Sequence, residues 1–412
     1  MLLYYFLFAL AQSRHLVLTL LFIFDFNMIK LGSNTKHIIF YLVLFLLFLP
    51  IIQQTTHFIK LTPLKGDIQV LDSPAFSFDA WFNGTYAIQK EEYCNQSFGL
   101  RSFFVRIYNQ LYYTLFKVVN AKDVVIGKNN YLYEKNYIRA YLGEDFVGQE
   151  EIQKKVIKLQ KICDTLKTKN IQLIVVLAPG KGSFYPEYIP EKHDLTRKKI
   201  TNYEAYVSSL KNTRINVIDF HSWFIKMKPL SPYPLFPKNG IHWSHYGQLL
   251  AADSVVKYIY SKNNSPKKPN ILIKKIEKSN HMSYSDDDIE QGMNLLFNID
   301  DLYMGYPLFS FENTDFPQLK VLTIADSYYW GMFNFGLSKD LFNDGQFWYY
   351  NKQVYPDSYN KPIVVSDLDM IESVEKNNVI LLLSTDANLY KFAFGFIDQL
   401  YDEYFSANTI MK

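Results

Sequence analysis

Charge of either sign is scarce in this sequence. Of 412 residues, 20% are Asp, Glu, Lys or Arg, and the formal net charge is only +3. The basic residues form no broad stripe, which argues against nucleic acid as a partner. Cysteine is nearly absent. Cys94 and Cys163 stand far apart without the spacing of a metal-ligand set, and read as two buried free thiols. Histidine is equally sparse, at eight residues. One acidic run, Asp286, Asp287 and Asp288, lacks the alternating ligands and the glycine of a calcium loop, so it reads as a solvated helix start. Neither a metal nor a cofactor is expected. There is no internal repeat and no low-complexity tract.

What the chain does have is length and apolar runs. It is long enough for a full core and for more than one unit. "HIIFYLVLFLLFLPII", residues 37–52, carries no charge after its leading histidine. Some 16–20 apolar residues are near the minimum for a spanning helix. Lys30 and Lys36 precede it, which favours a cytoplasmic N-terminus and an exported C-terminal bulk. No clear small-x-small cleavage site follows, so the segment reads as an uncleaved anchor rather than a signal peptide. Residues 1–27 are also hydrophobic, interrupted by Arg14 and His15. They read as a start-site extension, with a second membrane segment as the alternative. The division expected is a hydrophobic N-terminus over 1–54, a helical connecting region over 55–120 packed on the main domain, and a catalytic domain over 121–412.

Beyond residue 120 the pattern alternates. Val124–Ile126 and Tyr131–Tyr133 read as strands joined by the tight turn Gly127–Asn130. Residues 149–169 are amphipathic and lysine-rich, as a surface helix should be. Ile171–Leu177, "INVIDF" at 215–220, "LKVLTIAD" at 319–326 and "NVILLLS" at 378–384 are continuous apolar runs, the signature of strands buried on both faces. Helical patterns at 198–211 and 246–260 separate them, and "SKNNSPKKPN" reads as an exposed linker. Strands alternating with helices predict right-handed crossovers and a mostly parallel sheet. Ligands bind such sheets beyond the strands' carboxyl ends.

One serine falls at such an end. In "VLTIADSYYWGM" the apolar run stops at Ala325, and Asp326 and Ser327 follow. Ser327 is either a helix N-cap or a nucleophile; the second role needs a base and donors for an oxyanion. The base candidate is His242 in "FPKNGIHWSHYGQLLAA", in a turn-like lead before a helical stretch. His245 reads as a surface or capping residue. Ser183 is a loop serine with no base in its own segment.

These segments resemble a known family. "GIHWS" resembles the His-Trp block of the SGNH-like domains of the alginate O-acetyltransferase group, AlgX, AlgJ and their relatives. "ADSYYW" is similar to the group's serine block. "GKNNYLYE" resembles its opening hairpin, and "VVLAPGKGSFYPEYIP" the segment after its early strand. "DIEQGMNLLF" is similar too. The resemblance runs from about residue 65 to 400. It implies an SGNH-like three-layer α/β/α fold with a mostly parallel central sheet, preceded by an N-terminal membrane helix. It implies a membrane-anchored, exported O-acetyltransferase in which Ser327 takes the acetyl group and His242 is the general base. A polysaccharide would accept the group, and a multi-pass membrane O-acyltransferase would supply it. The location implied is the inner membrane, with the main domain in the periplasm. A carbohydrate acetylesterase and a non-catalytic assembly scaffold are the alternatives.

The chain departs from the family at one position. The group has Asp two residues before the histidine, and here that residue is Gly240. Asn239 beside it and Asp326 beside the serine are the candidates to stand in. Lys181 and Tyr185 are candidate contacts to donor or sugar oxygens, as are Tyr328 and Trp243 to a sugar ring, against a reading of each as packing. Tyr329 and Trp330 are weighed the same way.

Overall fold

The computed structural model describes residues 33–66, 71–263, 267–300 and 302–405. Residues 1–27, with the start-site question, lie outside them, and so does Lys30. The described residues divide into two compact units. One runs up to Phe116 and includes Asn294–Leu296; the other comprises Lys117–Met293 and Phe297 onward.

The first unit opens with the helix Ser33–Thr56. Its 22 residues from Thr35 have a mean hydropathy of 2.2 and are almost wholly unburied, so the helix is long and apolar enough to cross a membrane. Shorter helices follow at Phe78–Phe82, Thr85–Ser97 and Arg101–Leu111. The first of these is capped by Ser77, whose hydroxyl accepts from the Ala80 amide.

The second unit is built on a six-stranded mixed sheet. Its strands are β3 (Gln172–Ala178), β4 (Asn216–Asp219), β7 (Val321–Ala325), β8 (Phe347–Tyr349), β9 (Gln353–Tyr355) and β10 (Val379–Thr385), in the order β4-β3-β10-β7-β8-β9. The first five in that order are parallel and only β9 runs against its neighbour. β10 lies in the middle, with Leu381 opposite Ile174 on one side and Thr323 on the other.

The apolar runs form strands here because both faces are covered. Leu173, Val175, Leu177, Leu322, Ile324, Ile380 and Leu382 join one core cluster with the helices Gln149–Thr168, Asn202–Leu210 and Phe396–Phe405. The intervening Ile174, Val176, Leu381 and Leu383 are equally buried. Each such side chain contributes roughly 1.5–3 kcal/mol relative to exposure. The helix expected over 198–211 starts instead at Asn202, where Thr201 and Glu204 form a capping box.

Two strand pairs were not foreseen. The expected linker ends at Asn270, where β5 (Asn270–Ser279) begins and pairs antiparallel with β6 (Met304–Glu312). β5 reads "NILIKKIEKS" and is mostly unburied, so its charges mask the strand pattern. The other is the β8–β9 hairpin. A second small sheet pairs β1 (Val124–Ile126) with β2 (Leu132–Glu134) as expected.

Candidate active site

The parallel strands place the segments after β3, β4, β7 and β10 at one edge of the sheet. Ser327 sits two residues past β7, in the turn before the helix Tyr329–Asn334. His242 comes from the loop before the helix His245–Lys262, which Ser244 caps through the Gly247 amide. The two meet: His242 Nε2 is 2.9 Å from Ser327 Oγ, across a sequence separation of 85 residues.

A carboxylate stands behind the ring, and it comes from neither expected residue. Asp288 Oδ2 is 2.5 Å from His242 Nδ1, and its Oδ1 accepts from the Ile241 amide at 2.8 Å. With Nδ1–H held by Asp288, Nε2 is left to accept the Ser327 hydroxyl proton. The acidic run does start a helix, Asp288–Met293, but it is not a solvated one. Asp286 is fully buried and its Oδ1 accepts from the His245 amide, while Asp288 is only partly exposed.

Gly240 shows why the usual position is empty of a side chain. A Cβ there would lie 2.6 Å from both the Ser285 and Asp286 carbonyl oxygens. The segment that delivers Asp288 occupies the space that a residue at 240 would need. Asn239, offered as a stand-in, is fully buried and donates instead to Glu290 Oε2 and the Ile299 carbonyl. Asp326, the other stand-in, fastens the nucleophile turn to β10. Its Oδ2 accepts from the Thr385 amide and hydroxyl and from Asn388 Nδ2, at 2.8, 2.9 and 2.9 Å. Its Oδ1 accepts from the Tyr328 amide.

Electrostatics follow from this packing. Burial pulls the His242 imidazolium down. The charge and hydrogen bond of Asp288, with Asp326 and Glu134 further off, outweigh it, and the pKa is raised above the ordinary value. Glu134 is raised first by burial and then by the Asp288 charge, with His242 opposing. Glu134 also lines an open cavity of about 430 Å³, together with Lys122, Asp123, Lys135, Asn136 and Arg139.

The expected substrate contacts are committed elsewhere. Lys181 is fully buried, and its Nζ donates to the Lys238 and Gly240 carbonyls, both at 2.6 Å. Tyr185 is buried with its hydroxyl toward the Phe236 carbonyl. Tyr328 is buried beneath the His242 ring, 5.0 Å between centroids, and donates to the Ile241 carbonyl at 2.9 Å. Trp243 is buried and its Nε1 donates to the Tyr328 carbonyl at 3.2 Å. These four side chains clamp the histidine loop rather than line open space. Tyr329 is likewise buried, while Trp330 packs edge-on against Phe347, Tyr349 and Tyr355.

Two further expectations are corrected. His245 is buried, not on the surface, and stacks on Tyr284 at 3.8 Å; burial pulls its pKa down to about 4. Ser183 lies in the short helix Lys181–Phe184 rather than in a loop, and gives its hydroxyl hydrogen to Asp386, which burial pushes up to about 6. His221 Nε2 lies 3.7 Å from that carboxylate, and burial pulls it down to about 3. His221 does not stand between this serine and the carboxylate, so this second Ser, His and Asp group lacks the order of a catalytic triad.

Residues 124–281 match the family described as SGNH hydrolase-like domain, acetyltransferase AlgX. Over 191 residues the chain is 22% identical to a probable alginate O-acetylase AlgJ of Azotobacter vinelandii, covering 46% of this chain and 47% of that protein. Over 197 residues it is 22% identical to the probable alginate O-acetylase AlgJ of Pseudomonas fluorescens, covering 48% of each. The chain thus spans about half the length of the curated relatives it matches. Among solved structures, the O-acetyltransferase domain of Pseudomonas putida AlgJ aligns with a TM-score of 0.43 and 16% identity, covering 68% of this chain and 99% of that one. The strand-end serine, the His-Trp block and the matched residues lead to one statement of kinship: the chain carries an SGNH hydrolase-like domain of the AlgX/AlgJ type.

Proposed function

We propose that this protein is a membrane-anchored, exported O-acetyltransferase working through a serine acyl-enzyme. The observation that supports it most is His242 standing between Ser327 and a carboxylate. In the first half-reaction Ser327 Oγ attacks the carbonyl carbon of an acetyl donor and its proton passes to His242 Nε2. The bond from the acyl carbon to the donor's leaving atom breaks, and that atom takes the proton from His242. In the second half a sugar hydroxyl gives its proton to His242, attacks the acyl carbon and releases Ser327, which recovers the proton. General-base catalysis of this kind contributes about 10²–10⁴ in rate. Asp288 holds the ring's tautomer and stabilises the imidazolium.

The acceptor proposed is a cell-surface or exopolysaccharide hydroxyl, entering by the cavity beside Glu134. The relatives' names, probable alginate O-acetylases, support that class. The donor would come from a multi-pass membrane acyltransferase. The Ser33–Thr56 helix would anchor the chain in the inner membrane, with the catalytic domain in the periplasm.

The test is turnover of a chromogenic acetyl ester by the full chain in detergent, with and without oligosaccharide. The expected results are an acetyl adduct on Ser327 by mass spectrometry, acetylated sugar, and loss of both in Ser327→Ala with folding unchanged. Acetate release without acetylated sugar makes the protein an esterase. Wild-type turnover in Ser327→Ala removes the serine mechanism.

A further inference from the structure

A surface helix of a globular protein turns its apolar stripe to the core and its polar stripe to water. The helix Arg101–Leu111, in the first unit, does the reverse. Phe104, Ile107, Tyr108 and Leu111 fall on one helical face. The rings of Tyr108, Tyr112 and Phe116 follow one another at 4.4 and 5.6 Å and carry that face on through Tyr112–Phe116. No residue of Arg101–Leu111 is buried, and Phe103, Phe104, Leu115 and Phe116 are exposed.

The polar stripe, by contrast, is fastened inward. Arg106 Nη2 donates to the Pro63 carbonyl at 2.9 Å and its Nη1 to the Leu295 carbonyl at 3.2 Å. Asn109 Nδ2 donates to the Asn294 carbonyl at 3.4 Å, and Gln110 Oε1 accepts from the Leu296 amide at 3.2 Å. Hydrogen bonds thus hold the helix to its own unit by the wrong face for water. A helix this short is marginal in water and draws its stability from covering its apolar face. The preceding helix, Thr85–Ser97, needs no such cover: its exposed positions are mostly polar, Gln89, Glu92, Asn95 and Gln96 among them.

The cover is indicated by what the helix touches. A Cβ on Gly99, in the turn that leads into it, would lie 2.1 Å from the Pro50 carbonyl oxygen and 2.7 Å from the Gln54 amide nitrogen. The turn therefore rests backbone to backbone on the apolar helix Ser33–Thr56. The contact straddles the end of the apolar run, where Ile51 and Ile52 give way to Gln53, Gln54, Thr55 and Thr56. Gln53 folds the chain back there, donating to the Ile59 carbonyl at 2.7 Å and accepting from the Ile59 amide at 3.1 Å. From Pro50 to the end of the helix at Thr56 is a rise of about 9 Å. A helix lying in a membrane surface sinks its apolar face roughly 5–10 Å into the boundary of headgroups and acyl chains. Aromatic side chains, the main content of this stripe, favour the same depth.

We propose that residues 101–116 lie flat in the headgroup–acyl boundary of the bilayer that Ser33–Thr56 crosses, with the apolar face against lipid and the polar face against its own unit. The partner is a lipid surface, and the chain holds it in two ways, by a spanning helix and by a helix in the plane. This rests on the reading of Ser33–Thr56 as a membrane anchor.

The test is depth-dependent quenching in the full chain, reconstituted in vesicles of phosphatidylcholine and phosphatidylglycerol. Cys94→Ser and Cys163→Ala clear the background. A polarity-sensitive fluorophore is then placed singly at Phe104→Cys, Leu115→Cys, Phe45→Cys in the anchor, and Glu92→Cys on the polar helix. The quenchers are lipids with a nitroxide near the headgroup or near the chain end. The expected result is that 104 and 115 lose most fluorescence to the shallow nitroxide and 45 to the deep one, with 92 losing none. Quenching at 45 without quenching at 104 and 115 overturns the proposal and leaves the anchor standing. No quenching at 45 overturns the anchor reading, and the proposal with it. Emission at 104 and 115 that is blue-shifted yet blind to both nitroxides means that a second copy of the chain covers the face. Strongest quenching there by the deep nitroxide means that the segment crosses the bilayer; either result overturns the proposal. Should the label at 104 unfold the chain, 115 alone carries the same outcomes.

Discussion

Replacing Asp288 by asparagine separates the carboxylate's two effects on His242. The wild-type carboxylate accepts from His242 Nδ1 at 2.5 Å and from the Ile241 amide at 2.8 Å. Asparagine keeps the shape, and its oxygen can keep the Ile241 amide. Its NH₂ then faces Nδ1, and two donors cannot pair. The ring proton moves to Nε2, where it points at Ser327 and cannot accept from it. In serine proteases the same exchange lowers the rate by roughly 10⁴. At about 1.36 kcal/mol per tenfold, that is about 5 kcal/mol of barrier. The second effect is on pH dependence. Activity needs the neutral ring, so it falls as pH drops through the His242 pKa. In the wild type that pKa is raised, because Asp288, with Asp326 and Glu134, overcomes burial. Without the Asp288 charge the balance tips toward burial, and the acid limb moves to lower pH even as the plateau collapses. The assay is kcat/KM for a chromogenic acetyl ester across pH, with Asp287→Asn as the neighbouring control. A variant within tenfold of wild type, with an unmoved acid limb, refutes the reasoning.

Two other substitutions probe the loop that carries His242. Lys181→Met strands the Lys238 and Gly240 carbonyls that Nζ now satisfies; each buried orphan costs about 1–3 kcal/mol, so thermal melting should fall by several degrees and ester turnover with it. Gly240→Asp restores the family's spacing on paper, but its Cβ would meet two backbone carbonyl oxygens at 2.6 Å. It is expected to lower melting and to leave the Asp288→Asn variant inactive; rescue of that variant would show that the carboxylate can be moved back.

The sheet was readable because its strands are buried on both faces, and runs such as Leu173–Leu177 and Val379–Leu383 therefore contain almost nothing else. β5 was not, because a strand with little burial keeps its lysines and looks like a linker. The serine and the histidine each sit in a local block, so each could be singled out from its neighbours. Asp288 could not. It lies 46 residues from His242, and nothing in "SDDDIEQ" says which of three carboxylates turns inward. Lys181, Tyr185, Tyr328 and Trp243 were placed in the right neighbourhood, yet polar residue type does not reveal whether a side chain faces a cleft or a carbonyl.

The strand order carries a consequence for how the molecule comes into being. β10, near the end of the chain, is inserted between β3 and β7, which have no other pairing to each other. Until residues 379–385 have left the ribosome, the two halves of the sheet have nothing to close upon, and the turn bearing Ser327 lacks the Thr385 and Asn388 partners of Asp326. The surroundings of Ser327 are therefore complete only once β10, the last of the described strands, is in place.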